Sequence, residues 1–175
     1  MITKQDFQNI ISSTEFFERG LVYVIENQQG EYVQDYNIRE KCSSYNEFLD
    51  ILSVLTKDKH TLKVQGIEFF NKPIYEHCKK LSDHWGKPVD CHAYWGYQGQ
   101  GSFDVHTDPC EVCIYICEGS KQIDLEQPNV ISEGEHLYIK ANAPHKATNL
   151  TDCLSLSFGT FDYDYKRIGD IGFKL

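Results

Sequence analysis

The sequence predicts a mainly β fold, a small barrel of about eight strands with helices packed on one side. Three observations carry that expectation. From Val89 onward the chain is a series of short β-rich runs, VDCHAYW, SFDVH, EVCIYIC, KQIDL, HLYIK, HKATNL and CLSLSF, punctuated by Gly, Pro, Asn and Asp. Helical periodicity is confined to the first 87 residues. The length, 175 residues, leaves room for one domain and little more.

The N-terminal segment mixes helical and extended signals. Phe7, Ile10 and Ile11, then Phe16 and Phe17, suggest a helix and a turn ending near Gly20. LVYVIE (21–26) reads as a strand, with a turn over residues 27–30. Ser44 and Glu47 form a capping-box pattern ahead of Phe48, Ile51, Leu52 and Leu55, which predicts a helix over 45–56. LKVQGI (62–67) reads as a short strand. Pro73 suits the first turn of a helix carrying Ile74, Cys78, Leu81 and Trp85, stopped by Gly86. The expected organisation is one domain over 1–175, with 1–87 as a helical and strand cover and 88–163 as the barrel core.

Composition narrows the function classes. Hydrophobic residues make up 41% and charged residues 25%, which is globular rather than disordered or fibrous. A net charge of −9 argues against a broad nucleic-acid or anionic-membrane surface. No apolar run approaches the roughly 20 residues of a membrane helix. Seven cysteines, an odd number, behind a polar N-terminus (MITKQDFQNI) point to reduced thiols and a cytoplasmic setting.

Cysteine is nevertheless a poor candidate for a metal site here. Cys110, Cys113 and Cys117 have a superficially cluster-like spacing, but 111–117 reads as a strand, on which Cys113 and Cys117 share one face and Cys110 takes the other. His60, His77, His84 and His136 have no partner at ligand spacing. The better pattern is His106-Thr107-Asp108. On a strand, residues i and i+2 present an imidazole and a carboxylate to one side. His145, in GEHLYIKANAPHKATN, would complete a facial set of two histidines and one carboxylate, which suits Fe(II) and leaves three coordination positions open.

Gly134, His145 and Asn149 resemble the second motif of the cupins, G-x5-P-x-G-x2-H-x3-N, with Lys140 and Asn142 in place of its proline and second glycine. Many cupins carry a second histidine and a glutamate in their first motif. Here Asp108 takes the second position, and Glu111 falls one residue short of the glutamate's place. A carboxylate at that position resembles the 2-oxoglutarate oxygenases. More specifically, AYWGYQGQGSFDVHTD (93–108), VCIYICEGSK (112–121) and GEHLYIKANAPHKATNL (134–150) resemble the Jumonji-C-type oxygenases of the ribosomal-oxygenase (cupin-4-like) group.

That resemblance implies a double-stranded β-helix, the cupin or jelly-roll barrel. It implies Fe(II) on His106, Asp108 and His145, with 2-oxoglutarate as cosubstrate and O2 as oxidant. The distal carboxylate of 2-oxoglutarate would be held by Lys121, thirteen residues past Asp108 and just after the turn Glu118-Gly119-Ser120. Tyr94 matches a pocket tyrosine of the family, whereas His92 stands where the family has an asparagine. Ser155 and Ser157 lie on the strand expected to face the metal, and Ser157 is the candidate cosubstrate contact. The implied activity is hydroxylation of a protein or peptide side chain, and the acidic balance suits a basic target. Hydroxylation of a small molecule, a cupin enzyme that does not use 2-oxoglutarate, and a metal-free binding module are the alternatives. The group continues past its barrel into a dimerisation region and a winged-helix-like domain, which this sequence does not include, so oligomeric state and a ribosomal substrate are not implied.

Overall fold

The computed structural model describes residues 1–28, 31–101 and 103–160, with backbone alone over 26–28 and 31–36. Its helices start where a short polar side chain accepts a bond from an otherwise orphaned N–H. Thr3 and Asp6 form a reciprocal capping box at α1 (Lys4–Ile11), and Ser13 caps α2 (Thr14–Arg19). Ser44 caps α3 (Tyr45–Lys57), but the Glu47 carboxylate reaches back to Ser43 rather than to Ser44, accepting from its N–H at 2.7 Å and its hydroxyl at 2.6 Å. Asn71 caps α4 (Lys72–Trp85), Pro73 sits in its first turn, and Gly86 ends it at φ +66°. These agree with the expected helices.

The strands are β1 (Leu21–Gln28), β2 (Glu31–Asn37), β3 (Thr61–Gln65), β4 (Val89–Gly96), β5 (Val112–Glu118), β6 (Ser120–Asp124), β7 (Pro128–Ser132), β8 (His136–Ile139), β9 (Lys146–Asn149) and β10 (Cys153–Thr160). They form a larger antiparallel sheet, β2-β1-β3-β4-β10-β5-β8, and a smaller one, β7-β6-β9. Segment 1–87 therefore contributes three strands to the larger sheet as well as helices. The sequence did not single out β2 (EYVQDYN) or β7 (PNVIS). Both are edge strands, where polar residues are tolerated and the pattern is weak. In the turn expected over 27–30, residues 27 and 28 belong to β1, and 29 and 30 lie outside the described residues, as do 161–175.

One expected strand is absent. Of SFDVH (102–106), residues 103–105 form a bend and Ser102 lies outside the described residues; isolated bridges join Gly101 to Thr148 on β9 and His106 to His145, the residue before β9. Between the bridges local bonds replace a ladder. The Asp104 carbonyl accepts from the His106 ring at 2.7 Å, and its carboxylate accepts from Lys146 Nζ at 2.6 Å.

Two apolar clusters flank the larger sheet. Leu62, Val64, Cys91, Ala93, Trp95, Leu154, Leu156 and Phe158 face the helices and pack with Phe7, Phe16, Phe48 and Ile74. Ile114, Ile116, Ile123, Ile131 and Ile139 fill the space between the two sheets. Period-2 alternation along β3, β4 and β10 thus gives one face to the helical layer and leaves the other for a site. Cys113 and Cys117 join the helical-side cluster, as expected for structural thiols, and no disulfide joins any of the seven cysteines.

The turn from β5 to β6 sets the position of Lys121. Gly119 adopts φ +82°, and a Cβ there would collide with the Asp152 carbonyl oxygen and lie 2.7 Å from Thr151 Oγ1. Gly119→Ala is therefore expected to lower the thermal midpoint by at least about 4 °C, from strain and backbone displacement together. An unchanged midpoint in thermal denaturation would show that this turn tolerates a side chain.

Glu68, in the 3-10 turn Ile67–Phe70, is 5% exposed and accepts from the Cys91 N–H at 3.2 Å. Burial pushes its carboxyl up from 4.5 to about 8. Across that window the folded state holds a proton that the unfolded state has released, so this contribution to stability is intact below about pH 4.5 and is lost as pH rises towards 8. Glu68→Gln keeps an acceptor for Cys91 without the ionisable group. Its midpoint should match the parent's near pH 4.5 and exceed it by several degrees near pH 9. A constant offset across that range would contradict the assignment.

Candidate functional site

β9 and the segment before it bring two histidines together. His106 and His145 exchange backbone bonds, N–H to carbonyl, at 3.0 and 2.9 Å, and their rings stand 4.3 Å apart. Each ring is oriented through its own Nδ1, which donates to a carbonyl two residues earlier: His106 to Asp104 at 2.7 Å and His145 to Ala143 at 2.9 Å. With Nδ1 protonated in each ring, both Nε2 lone pairs are left as ligand atoms.

Asp108 completes the group. Its Oδ2 lies 3.4 Å from His145 Nε2, and the ligand atoms of His106, Asp108 and His145 all fall within 4.8 Å of one another. Asp108 is held by Asn142, whose N–H donates to its carbonyl oxygen at 2.7 Å. Asn142 has φ +61°, a left-handed conformation that asparagine tolerates better than most residues, so it fills the turn position of the cupin motif's glycine. In the absence of a metal, a proton on His145 Nε2 shared with Asp108 pulls the Asp108 carboxyl down and raises the His145 imidazole, and a metal ion would take that proton's place on Nε2. The oriented tautomers, the spacing and the donor set fit a divalent metal with nitrogen and oxygen ligands. Contrary to the sequence expectation, the pair at 106 and 108 converges through a bridge and a bend rather than along a regular strand.

Lys121, on β6, is 4% exposed, and its ammonium donates to Ser155 Oγ at 2.7 Å. It also lies 5.9 Å from the centre of the Tyr94 ring. Burial lowers its pKa, opposed by Cys153. Ser155 pairs with Tyr94 across β10 and β4, so lysine, serine and tyrosine share one level of the barrel. Burial, then the charges of Asp108 and Asp90, push the Tyr94 phenol upward and keep it protonated. Ser155 and Ser157 are two apart on β10, so both face the cavity; Ser155 is the one that touches Lys121.

All six predicted residues, His106, Asp108, His145, Lys121, Tyr94 and Ser157, line one cavity of about 910 Å³ between the sheets. His92 lines it too, with Nε2 3.4 Å from Asp90 Oδ2. The sequence reading missed Lys63, Asp90 and Phe103, which also line the wall. The signal for the first two was alternation. In LKVQ and VDCHAYW, the residues between core-facing Leu62 and Val64, and those flanking Cys91, must face the other way. Phe103 packs against His106 at 5.4 Å and Tyr94 at 6.5 Å between ring centres.

No family model matches the chain, and no curated protein matches it either. Solved structures do. The ribosomal oxygenase YcfD from Escherichia coli, in complex with cobalt and succinic acid, aligns over 97% of this chain at 15% identity and a TM-score of 0.68. The same protein with cobalt and 2-oxoglutarate aligns over 97% at 14% identity and a TM-score of 0.66. In both the alignment covers 46% of YcfD, so this chain spans under half its length. An RmlC-like cupin from Shewanella frigidimarina aligns over 41% of this chain and 65% of its own at 18% identity, with a TM-score of 0.38. The chain has a double-stranded β-helix of the cupin type, with N-terminal helices on one side, as the sequence resemblance implied.

Proposed function

We propose that this protein is an Fe(II)- and 2-oxoglutarate-dependent oxygenase that hydroxylates a C–H bond of a protein or peptide side chain. The observation that carries the reading is the pairing, within one cavity, of the His106–Asp108–His145 group with a buried lysine on an opposing strand. His106, Asp108 and His145 hold the metal, with the two Nδ1–H bonds fixing the imidazoles before it arrives. Lys121 receives the distal carboxylate of 2-oxoglutarate. A carboxylate beside a buried ammonium regains the charge partner that burial denies it. Ser155 steers that ammonium, and Tyr94 and Ser157 offer hydroxyls to the cosubstrate.

Iron with 2-oxoglutarate and O2 supplies an oxidant for unactivated C–H bonds, placing one oxygen atom in succinate and one in the product alcohol, with CO2 released. An isoleucine cluster packs between the two sheets behind the site. A similarity to a protein crystallised with cobalt and 2-oxoglutarate supports the cosubstrate. No helix among the described residues is long and apolar enough to cross a membrane, and seven cysteines without a disulfide suit a reducing, cytoplasmic setting. The cavity wall presents Lys63, Lys87 and Lys121 together with Asp90, Asp104 and Asp108, so the basic target suggested by net charge draws no support from it.

The test is succinate formation from 2-oxoglutarate by the iron-loaded protein in air. Turnover that requires both iron and 2-oxoglutarate is the expected result. A protein that takes up iron but neither binds nor decarboxylates 2-oxoglutarate would instead be a cupin of another chemistry.

A further inference from the structure

The two histidines of the metal group sit on separate segments that are only partly laddered to each other. His106 follows the bend over 103–105, and His145 stands immediately before β9. Their reciprocal backbone bonds make one isolated bridge, and Gly101 with Thr148 makes the other. Five residue steps separate the two bridges on the first segment and three on the second, so the first segment must bulge. A bulge gives up ladder bonds, and it does so here where the spacing of two ligands has to be fixed.

Asp104 lies within that bulge and bonds in two directions. Its carbonyl oxygen accepts from His106 Nδ1 at 2.7 Å, the bond that orients the ring. Its carboxylate accepts from the Nζ of Lys146, the residue next to His145, at 2.6 Å. Lys146 stands between His145 and Ala147, which both line the cavity, so alternation turns its own side chain away from the cavity. Among the described residues, the converging ligand atoms come from His106, Asp108 and His145, and Asp104 is not one of them. Side-chain exposures of 32% for Lys146 and 40% for Asp104 place the ion pair near the surface, where it adds little to overall stability. What it does fix is the position of the backbone that orients His106 relative to the strand that carries His145.

We propose that Asp104, through its ion pair with Lys146, is a positioning residue that holds His106 and His145 at metal-binding spacing. The proposal rests on the metal centre of the oxygenase reading and adds that a charge pair outside the ligand set governs its affinity. Without the pair the bulge relaxes, the two rings are no longer held 4.3 Å apart, and the metal must pay to reassemble them.

The test titrates the full chain, freed of metal by a chelator, with Co(II), and reads the visible ligand-field absorption of the bound ion. Asp104→Asn keeps the carbonyl that orients His106 and removes the charge, and Lys146→Met removes the charge on the other side. Each should raise the half-saturating Co(II) concentration about tenfold, the low end of the range for groups that orient ligands. The double variant should lose little more than either single one, because both remove the same interaction. The gap from the parent should narrow at about 1 M salt, where charges are screened within about 3 Å. Reversing the pair, Asp104→Lys with Lys146→Asp, should recover most of the affinity. Thermal midpoints of the metal-free variants should stay within about 4 °C of the parent's, which a merely structural role would not predict. Asp104→Ala and Lys146→Gln serve as second variants should the first fail to fold. A parent protein that takes up no Co(II) would overturn the oxygenase reading and the proposal together. Co(II) affinity unchanged in the single variants, additive losses in the double variant, or affinity lost only in step with the thermal midpoint would overturn the proposal alone.

Discussion

Asp108→Ala should abolish metal uptake and with it succinate formation, a loss of at least about a hundredfold and the largest single effect expected in this protein. Asp108 supplies the only anionic ligand of the group, with Oδ2 3.4 Å from His145 Nε2. Without it two neutral imidazoles remain, and two nitrogen donors hold a divalent ion far more weakly than a chelating set of three. His106→Ala and His145→Ala should act in the same direction. The fold should survive in Asp108→Ala, because Asn142 bonds to the Asp108 carbonyl rather than to its side chain. Metal content by elemental analysis, read beside circular dichroism, checks the point. Full metal content in Asp108→Ala would remove Asp108 from the ligand set.

Lys121→Ala carries the second large effect, and it separates cosubstrate from metal. Its ammonium is 4% exposed, bonded to Ser155 Oγ and set on an opposite sheet from Tyr94. Removing one member of a buried charge pair costs about 2–5 kcal/mol. The concentration of 2-oxoglutarate for half-maximal turnover should therefore rise by roughly one and a half to three and a half orders of magnitude, tenfold for each 1.4 kcal/mol. Iron affinity should be nearly unchanged, since Lys121 meets Ser155 and Tyr94 in the site rather than the three metal ligands. Equal loss of iron and 2-oxoglutarate would contradict the role assigned to Lys121. Ser155→Ala should reproduce the effect weakly, because it removes the hydroxyl that steers the ammonium and leaves the charge.

Much of this site was legible in the sequence because its parts sit at positions that chain geometry constrains. The His-x-Asp pair and the distal histidine were identified although the local structure expected for the pair was wrong. SFDVH has the composition of a strand, but Asp104 bonds to the His106 ring and to Lys146, and these side-chain bonds bend the segment away from a ladder. Asn142 shows the reverse case. The motif's glycine is absent, yet asparagine at φ +61° supplies the same turn. Lys121 could be placed by its offset from Asp108, whereas its bond to Ser155 depends on how two sheets meet, which no local pattern encodes. Lys63 was passed over because a lysine in a short strand ordinarily faces solvent. Here both faces of β3 are covered, one by helices and the other by the cavity. The polar edge strands β2 and β7 escaped notice because they owe their conformation to pairing with β1 and β6.

Iron and 2-oxoglutarate are expected to meet in this cavity, the iron on the three ligands and the far carboxylate of 2-oxoglutarate on Lys121. An anaerobic titration of the iron-loaded protein with 2-oxoglutarate measures this directly, through the visible iron-to-2-oxo-acid charge-transfer absorption that forms only when the cosubstrate chelates the metal. The absorption should appear and saturate in the parent protein, require much more 2-oxoglutarate in Lys121→Ala, and be absent in Asp108→Ala. An iron-loaded parent protein that develops no such absorption at any 2-oxoglutarate concentration would contradict the account.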